Sequence, residues 1–137
     1  MSGEQEYMDF DADKTVSYWL EGAAYDLGVA EAMLRAEKYP YALFMGHLAV
    51  EKSLKALVVK TTHQHAPHTH SLPILASKLT EELPEDVTAA LVRFMEFYLE
   101  SRYPDQHKQF YQKCTREFTE QNLNEIKRVF SWLKKKF

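Results

Sequence analysis

Apolar residues along this chain recur at intervals of three and four, and that regularity restricts the fold more than any other feature. Leu20, Ala23, Leu27, Ala30 and Leu34 form one such stripe, and Leu123, Ile126, Phe130, Leu133 and Phe137 form another. Val87, Leu91, Phe94 and Tyr98 make a third, and Leu72, Leu75 and Leu79 a fourth. A spacing of 3.6 residues puts each set on one face of an α-helix. No segment shows the strict alternation of a β-strand, and no internal repeat is visible. The expected fold is all-α, an up-and-down antiparallel bundle of four to five helices joined by short connections.

Punctuation residues divide the pattern into elements. Residues 1–13 carry five acidic and no basic side chains and read as an acidic flexible tail. Residues 14–137 read as the helical domain. Helix 1 is expected over about 15–38, with Thr15 or Asp13 as its start signal. Gly22 and Gly28 weaken it unless a neighbouring helix approaches closely there. Pro40 suits the first turn of a second helix, over about 40–61. Phe44, Leu48, Val50, Leu54, Leu57 and Val58 make that helix apolar over more than half its circumference, so it belongs at the centre. Glu51 and Lys55 form an i,i+4 pair on its remaining face. Ser71 can cap helix 3, over about 72–82. Helix 4 is expected from Pro84 to Arg102, because Pro104 disfavours helical geometry at Tyr103. Asp105 can then cap a short turn through His107, and the last helix starts near Thr115.

Composition narrows the function classes. The chain has 137 residues, 45% of them hydrophobic, which suits one domain with a real core. No apolar run approaches the roughly 20 residues of a membrane span. The acidic N-terminus has no apolar stretch of the kind a signal peptide needs. A single cysteine, Cys114, fits a reducing compartment, so a cytoplasmic location is expected. The net charge of −3 is unevenly placed. Residues 1–101 hold 8 Lys/Arg and 16 Asp/Glu, a balance of −8, and residues 102–137 hold 9 and 4, a balance of +5. The basic end can face phosphates. Lys134, Lys135 and Lys136 equally complement the negative end of the last helix.

Several clusters invite chemistry. His63, His65, His68 and His70 fall within eight residues, a density seen in zinc and nickel sites, but no carboxylate or cysteine lies near them in sequence. No metal and no cofactor is expected. His47 lies on the apolar stripe of helix 2 and reads as a hydrogen-bonded core histidine. Lys52 and Lys108 are candidate phosphate contacts.

Three segments together resemble the HEPN family of small helical proteins. They are Ala24-Tyr25-Asp26-Leu27 followed by Tyr39-Pro40-Tyr41-Ala42, then Ala49-Val50-Glu51-Lys52-Ser53-Leu54-Lys55-Ala56-Leu57, then Thr69-His70-Ser71-Leu72. The resemblance implies a bundle that dimerises, and in many members a toxin held by a minimal nucleotidyltransferase antitoxin. Active members are metal-independent ribonucleases carrying an Arg, four to six residues, then a His. Arg102-Tyr103-Pro104-Asp105-Gln106-His107 supplies that spacing. On this model Arg102 clamps phosphate, His107 moves a proton, and a 2′,3′-cyclic phosphate results. The site is expected to be composite, at a dimer interface, with RNA or a nucleotide as ligand. The alternative is a non-catalytic module that binds a nucleotide or docks a nucleotidyltransferase. Some members carry a tyrosine two residues after the histidine that the partner modifies with AMP. Here that position is Gln109.

Overall fold

The computed structural model describes residues 10–101 and 103–137. Among the described residues there are six α-helices: α1 (Ala12–Arg35), α2 (Tyr39–Thr62), α3 (Leu72–Ser77), α4 (Glu85–Phe94), α5 (Pro104–Lys113) and α6 (Arg116–Lys134). Two 3-10 turns, Met95–Phe97 and Leu99–Ser101, lie between α4 and α5. No strand occurs among the described residues.

Local chemistry sets most helix ends. Asp11, rather than Thr15 or Asp13, caps α1: its side chain accepts from Lys14 N at 3.0 Å, while Thr15 donates back to Asp11 O. The helix therefore begins inside the stretch expected as tail. At its other end Lys38 N bonds Met33 O at 2.8 Å and Glu37 N bonds Leu34 O at 3.0 Å. This paired closure is a Schellman motif, and it holds Glu37 in the left-handed region at φ 62°. Pro40 occupies the first turn of α2 as expected. Ser71 caps α3 through Ile74 N, and Thr115 caps α6 through Phe118 N.

Cross-links between helices fix their directions. Arg128 reaches Asp86 and Arg93 reaches Glu125, so α4 and α6 are antiparallel. Lys127 pairs with Glu31 and Arg116 with Glu37, so α1 and α6 are antiparallel too. Lys60 Nζ donates to Lys136 O, while Gly46 lies against Ile126, so α2 and α6 run the same way. Helices α1, α2, α4 and α6 thus make an up-down-up-down core, and the short α3 and α5 are crosspieces in its connections.

Helix α2 is the centre of this arrangement. Leu43, Val50 and Leu54 are fully buried there, against Leu72, Leu75, Leu91, Phe94, Leu123, Ile126 and Leu133 from the other elements. Each such side chain contributes roughly 2 kcal/mol by leaving water. Ala23 and Ala30 in α1, and Ala42, Ala49 and Ala56 in α2, are also fully buried. Small residues repeating every seven positions let the backbones come close. Gly46 completes the fit to α6: a Cβ there would lie 2.7 Å from Ile126 Cδ1 and 3.4 Å from Leu123 Cδ1. At Gly22 a Cβ would lie 3.2 Å from the Lys52 stem. The expectation of close approach fails at Gly28, which has nothing within 4 Å.

The two glycines should therefore respond oppositely to alanine. Gly46→Ala is expected to lower stability by about 1–3 kcal/mol through overpacking against Ile126. Gly28→Ala should raise it by up to about 1 kcal/mol through helix propensity. Urea unfolding of both variants beside the parent checks this, and equal shifts would contradict the packing argument.

Candidate functional site

The stretch from Phe94 to His107 departs most from the sequence expectation. Helix α4 was expected to reach Arg102, but it stops at Phe94. The cause is a competing hydrogen bond. In an uninterrupted helix Phe94 O would accept from Tyr98 N. Instead it faces His47 Nδ1 at 3.1 Å, and Tyr98 N turns to Met95 O at 3.3 Å. The chain tightens into a 3-10 turn, and Tyr98 becomes extended at ψ 100°.

Pro104 then acts as expected on its neighbour, holding Tyr103 extended at φ −75° and ψ 158°. The expected short turn through His107 is instead the ten-residue helix α5. Asp105 does not cap it. Pro104 sits in its first turn, and Gln106 Oε1 accepts from Tyr103 N at 3.1 Å. His107 thus projects from the start of a helix.

The half-buried His107 ring is fixed through one nitrogen. Nε2 lies 2.6 Å from Leu99 O. A carbonyl oxygen can only accept, so Nε2 carries a hydrogen, and in the neutral ring the lone pair is then on Nδ1. The ring also lies parallel to Tyr111, at 7° with centroids 6.4 Å apart. Tyr111 meets Tyr41, from the first turn of α2, edge to face at 6.3 Å. The phenol of Tyr111 is pushed up to about 12, first by its hydrogen bond with Tyr41 and then by burial. Tyr41, Tyr103 and Tyr111 are all exposed around this end of the molecule.

The other site candidates are spread out. Arg102 lies outside the described residues. Lys108 is exposed, one position beyond His107 on α5. Lys52 is not brought to His107. It stands eleven residues beyond Tyr41, about 16 Å along the helix axis. There Nζ lies 2.7 Å from the buried Asp26 Oδ2 of α1, a close ionic contact without the alignment of a hydrogen bond. The histidine-rich loop also divides. His65 packs on Phe10, and His70 turns inward to Glu51. No group of three or more His, Cys, Asp or Glu is placed to hold a metal among the described residues.

Sequence reasoning missed the surroundings of Glu51, which reads in the sequence as half of an open surface pair. Its side chain is only 4% exposed. Lys55 Nζ lies 3.1 Å from Oε2, His70 Nδ1 3.0 Å from Oε1, and His47 Nε2 3.5 Å from Oε1. Lys55 Nζ is also 5.0 Å from the Trp19 ring centroid. His47 is the core histidine expected, and its Nε2 faces His70 O at 3.1 Å as well. Burial pushes the Glu51 carboxyl up, but hydrogen bonds from His47, His70 and Lys55 and the charge of Lys55 outweigh it, leaving the group below its ordinary value. Tyr98 covers this cluster, stacked on His70 at 20° and 4.6 Å. Its hydroxyl donates to Glu100 Oε2 at 3.0 Å. Burial, that bond and the charges of Glu100 and Glu51 push it up to about 12. The signal was present in the chain: His47, Glu51 and Lys55 recur every four residues on a helix that is apolar over more than half its circumference.

The fold is a HEPN-type helical bundle. The HEPN domain family matches residues 16–136, and the chain belongs to that family. Two crystal structures share its fold. TT1696 from Thermus thermophilus is similar with a TM-score of 0.75 at 26% identity, over 89% of this chain and 98% of that one. ST0689, described as an archaeal HEPN homologue, is similar with a TM-score of 0.68 at 23% identity, over 88% and 96%. No curated protein matches the chain significantly. No helix is long and apolar enough to cross a membrane among the described residues.

Acid should expose the role of Glu51. Its folded value is depressed, so its stabilising contribution is complete above the ordinary carboxyl value of 4.5 and is lost as pH falls through the lower folded value. Stability of the parent should thus fall more steeply below about pH 4.5 than that of Glu51→Gln. Near pH 7, Glu51→Ala should lower stability by roughly 3 kcal/mol, because Lys55 loses its buried counter-charge. Urea midpoints across pH 3–7 test both statements.

Proposed function

We propose that this protein is a metal-independent endoribonuclease whose site is built from Arg102 and His107 of two subunits. The observation that carries the reading is the fixed tautomer of His107. With Nε2–H committed to Leu99 O, the basic Nδ1 is the nitrogen left for chemistry. A general base with its lone pair held in one direction is what removal of a ribose 2′-hydroxyl proton requires. The freed 2′-oxygen attacks the adjacent phosphorus, and the 5′-oxygen leaves. The products are a 2′,3′-cyclic phosphate and a 5′-hydroxyl end. Arg102 supplies a permanent charge and a planar fork for the non-bridging oxygens, where charge builds during attack. Lys108, exposed beside the base, adds a second phosphate contact.

In-line displacement sets the attacking 2′-oxygen and the leaving 5′-oxygen on opposite sides of the phosphorus, so a single fixed imidazole does not reach both. A homodimer that brings two copies of the motif together supplies an acid and a base at once. Family membership supports extending this reading to a toxin restrained by a minimal nucleotidyltransferase.

Incubation of the purified protein with a mixed RNA pool in EDTA tests the proposal. The parent should cleave, and the products should carry cyclic phosphate ends. His107→Ala and Arg102→Ala should each cut at least about 100-fold more slowly. Absence of cleavage by the folded dimer would replace this reading with a module that binds a nucleotide or docks a nucleotidyltransferase. Equal cleavage by all three proteins would identify a contaminant.

A further inference from the structure

The orientation of His107 depends on a single carbonyl, and that carbonyl belongs to a segment without regular helical bonding. Leu99 opens the second of two short 3-10 turns. Something outside the segment must aim it. The contacts lead from His107 back to helix α2 without a gap. Leu99 follows Tyr98, Tyr98 stacks on His70, and His70 Nδ1 is 3.0 Å from Glu51 Oε1. The second arm runs through His47, whose Nδ1 holds Phe94 O at 3.1 Å and whose Nε2 faces Glu51 and His70 O. The Tyr98 ring lies 5.3 Å from the His47 ring as well.

We propose that the cluster of buried His47, buried Glu51 and the more exposed His70 is a positioning device for His107, acting through the Tyr98 ring and the Leu99 carbonyl. The inference rests on the reading of His107 as the base, and it assigns a task to buried polar groups which that chemistry does not touch.

Packing alone does not account for the cluster. Apolar side chains of the same volume commonly stabilise a core as well as a buried ion cluster does. What apolar groups cannot do is hold carbonyls by direction. His47 takes the carbonyl that would otherwise bond Tyr98 N, and that exchange ends α4 at Phe94. If Phe94 O accepted from Tyr98 N, the helix would run on and Leu99 O would point along its axis to residue 103. The break turns this carbonyl toward α5. Glu51 fixes both imidazoles, and the His70 ring gives Tyr98 a flat surface to rest on. The residues named are therefore positioning residues, and none of them touches the reacting atoms.

Nitrogen–proton NMR of the histidine side chains in the full-length protein reads this directly, with or without RNA cleavage. The parent should show His107 as the Nε2–H tautomer, with slow exchange of that proton. His70→Ala is a mild change because the His70 side chain is 53% exposed. Circular dichroism should show its helices intact, while exchange at His107 Nε2–H accelerates at least tenfold. Tyr98→Leu should act the same way, and Tyr98→Phe, which keeps the flat ring, should retain most of the protection. Cleavage should fall at least tenfold in the first two. Parent-like protection of His107 in folded His70→Ala and Tyr98→Leu would overturn the proposal, as would a loss in Tyr98→Phe equal to that in Tyr98→Leu. A parent that cleaves no RNA but whose His107 signal responds to His70→Ala would sustain the positioning device and remove the ribonuclease reading.

Discussion

A carboxylate sealed in a helical bundle must find its counter-charges inside, and the placement of Glu51 on α2 imposes that condition on everything around it. Desolvation alone would drive the group to protonate. Three donors prevent this, and each comes with an obligation. Lys55 lies one turn further along the same helix and needs the Trp19 face of α1 beside it. His47 lies one turn back and ties down the end of α4. His70 arrives from the loop before α3 and brings the stacked Tyr98 with it. One buried charge thereby sets the relation of α2 to α1, to α3 and to the irregular segment beyond α4. Hydrophobic burial holds the bundle together but has no direction. The ionic seam supplies direction on one side of α2.

The opposite side of α2 is governed by size instead of charge. Gly46 admits Ile126, whose Cδ1 would lie 2.7 Å from a Cβ at that position. Close packing there lets α6 run beside α2 in the same direction, although the two are not neighbours in sequence. The long return through α3, α4 and α5 makes that parallel pairing possible. Thus α2 carries a close-packed face at Gly46 toward α6 and a hydrogen-bonded face toward α3 and the 3-10 turns. The segment whose Leu99 carbonyl meets His107 is anchored to the second face.

Much of this was legible in the chain because helical periodicity and capping are local. The stripes through Leu27, Leu54, Leu91 and Ile126 locate the four long helices, and Ser71, Thr115 and Pro40 mark three helix starts. The departures are tertiary in origin. The stripe through Tyr98 continues unbroken and suggests a helix as far as Arg102, and nothing local reveals that His47 captures Phe94 O from forty-seven residues away. Glu51 and Lys55 read as a surface pair because i,i+4 spacing is equally good in water and in a core. The turn expected after Pro104 is a helix because Phe110 is buried and anchors the segment. The candidate site divides in the same way. Arg102 and His107 stand out by spacing and resemblance, whereas the Leu99 carbonyl that fixes the imidazole is a backbone atom and leaves no mark in a sequence.

That spacing has a physical consequence of its own. On one uninterrupted helix, residues five apart point about 140° away from each other, since each residue advances about 100°. An arginine and a histidine so placed would diverge, and neither could attend to the same phosphate. Pro104 removes the constraint. It holds Tyr103 extended and restarts the helix in a new phase, so that His107 lies in the first turn of α5 and the chain before it is released from the angular rule of that helix. The positive end of the α5 dipole lies at that first turn, which favours negative charge nearby. A proline between the two motif residues is therefore no blemish in the pattern. It starts α5 in a phase of its own, while the 3-10 turn after Phe94 is held from outside, by His47 of α2.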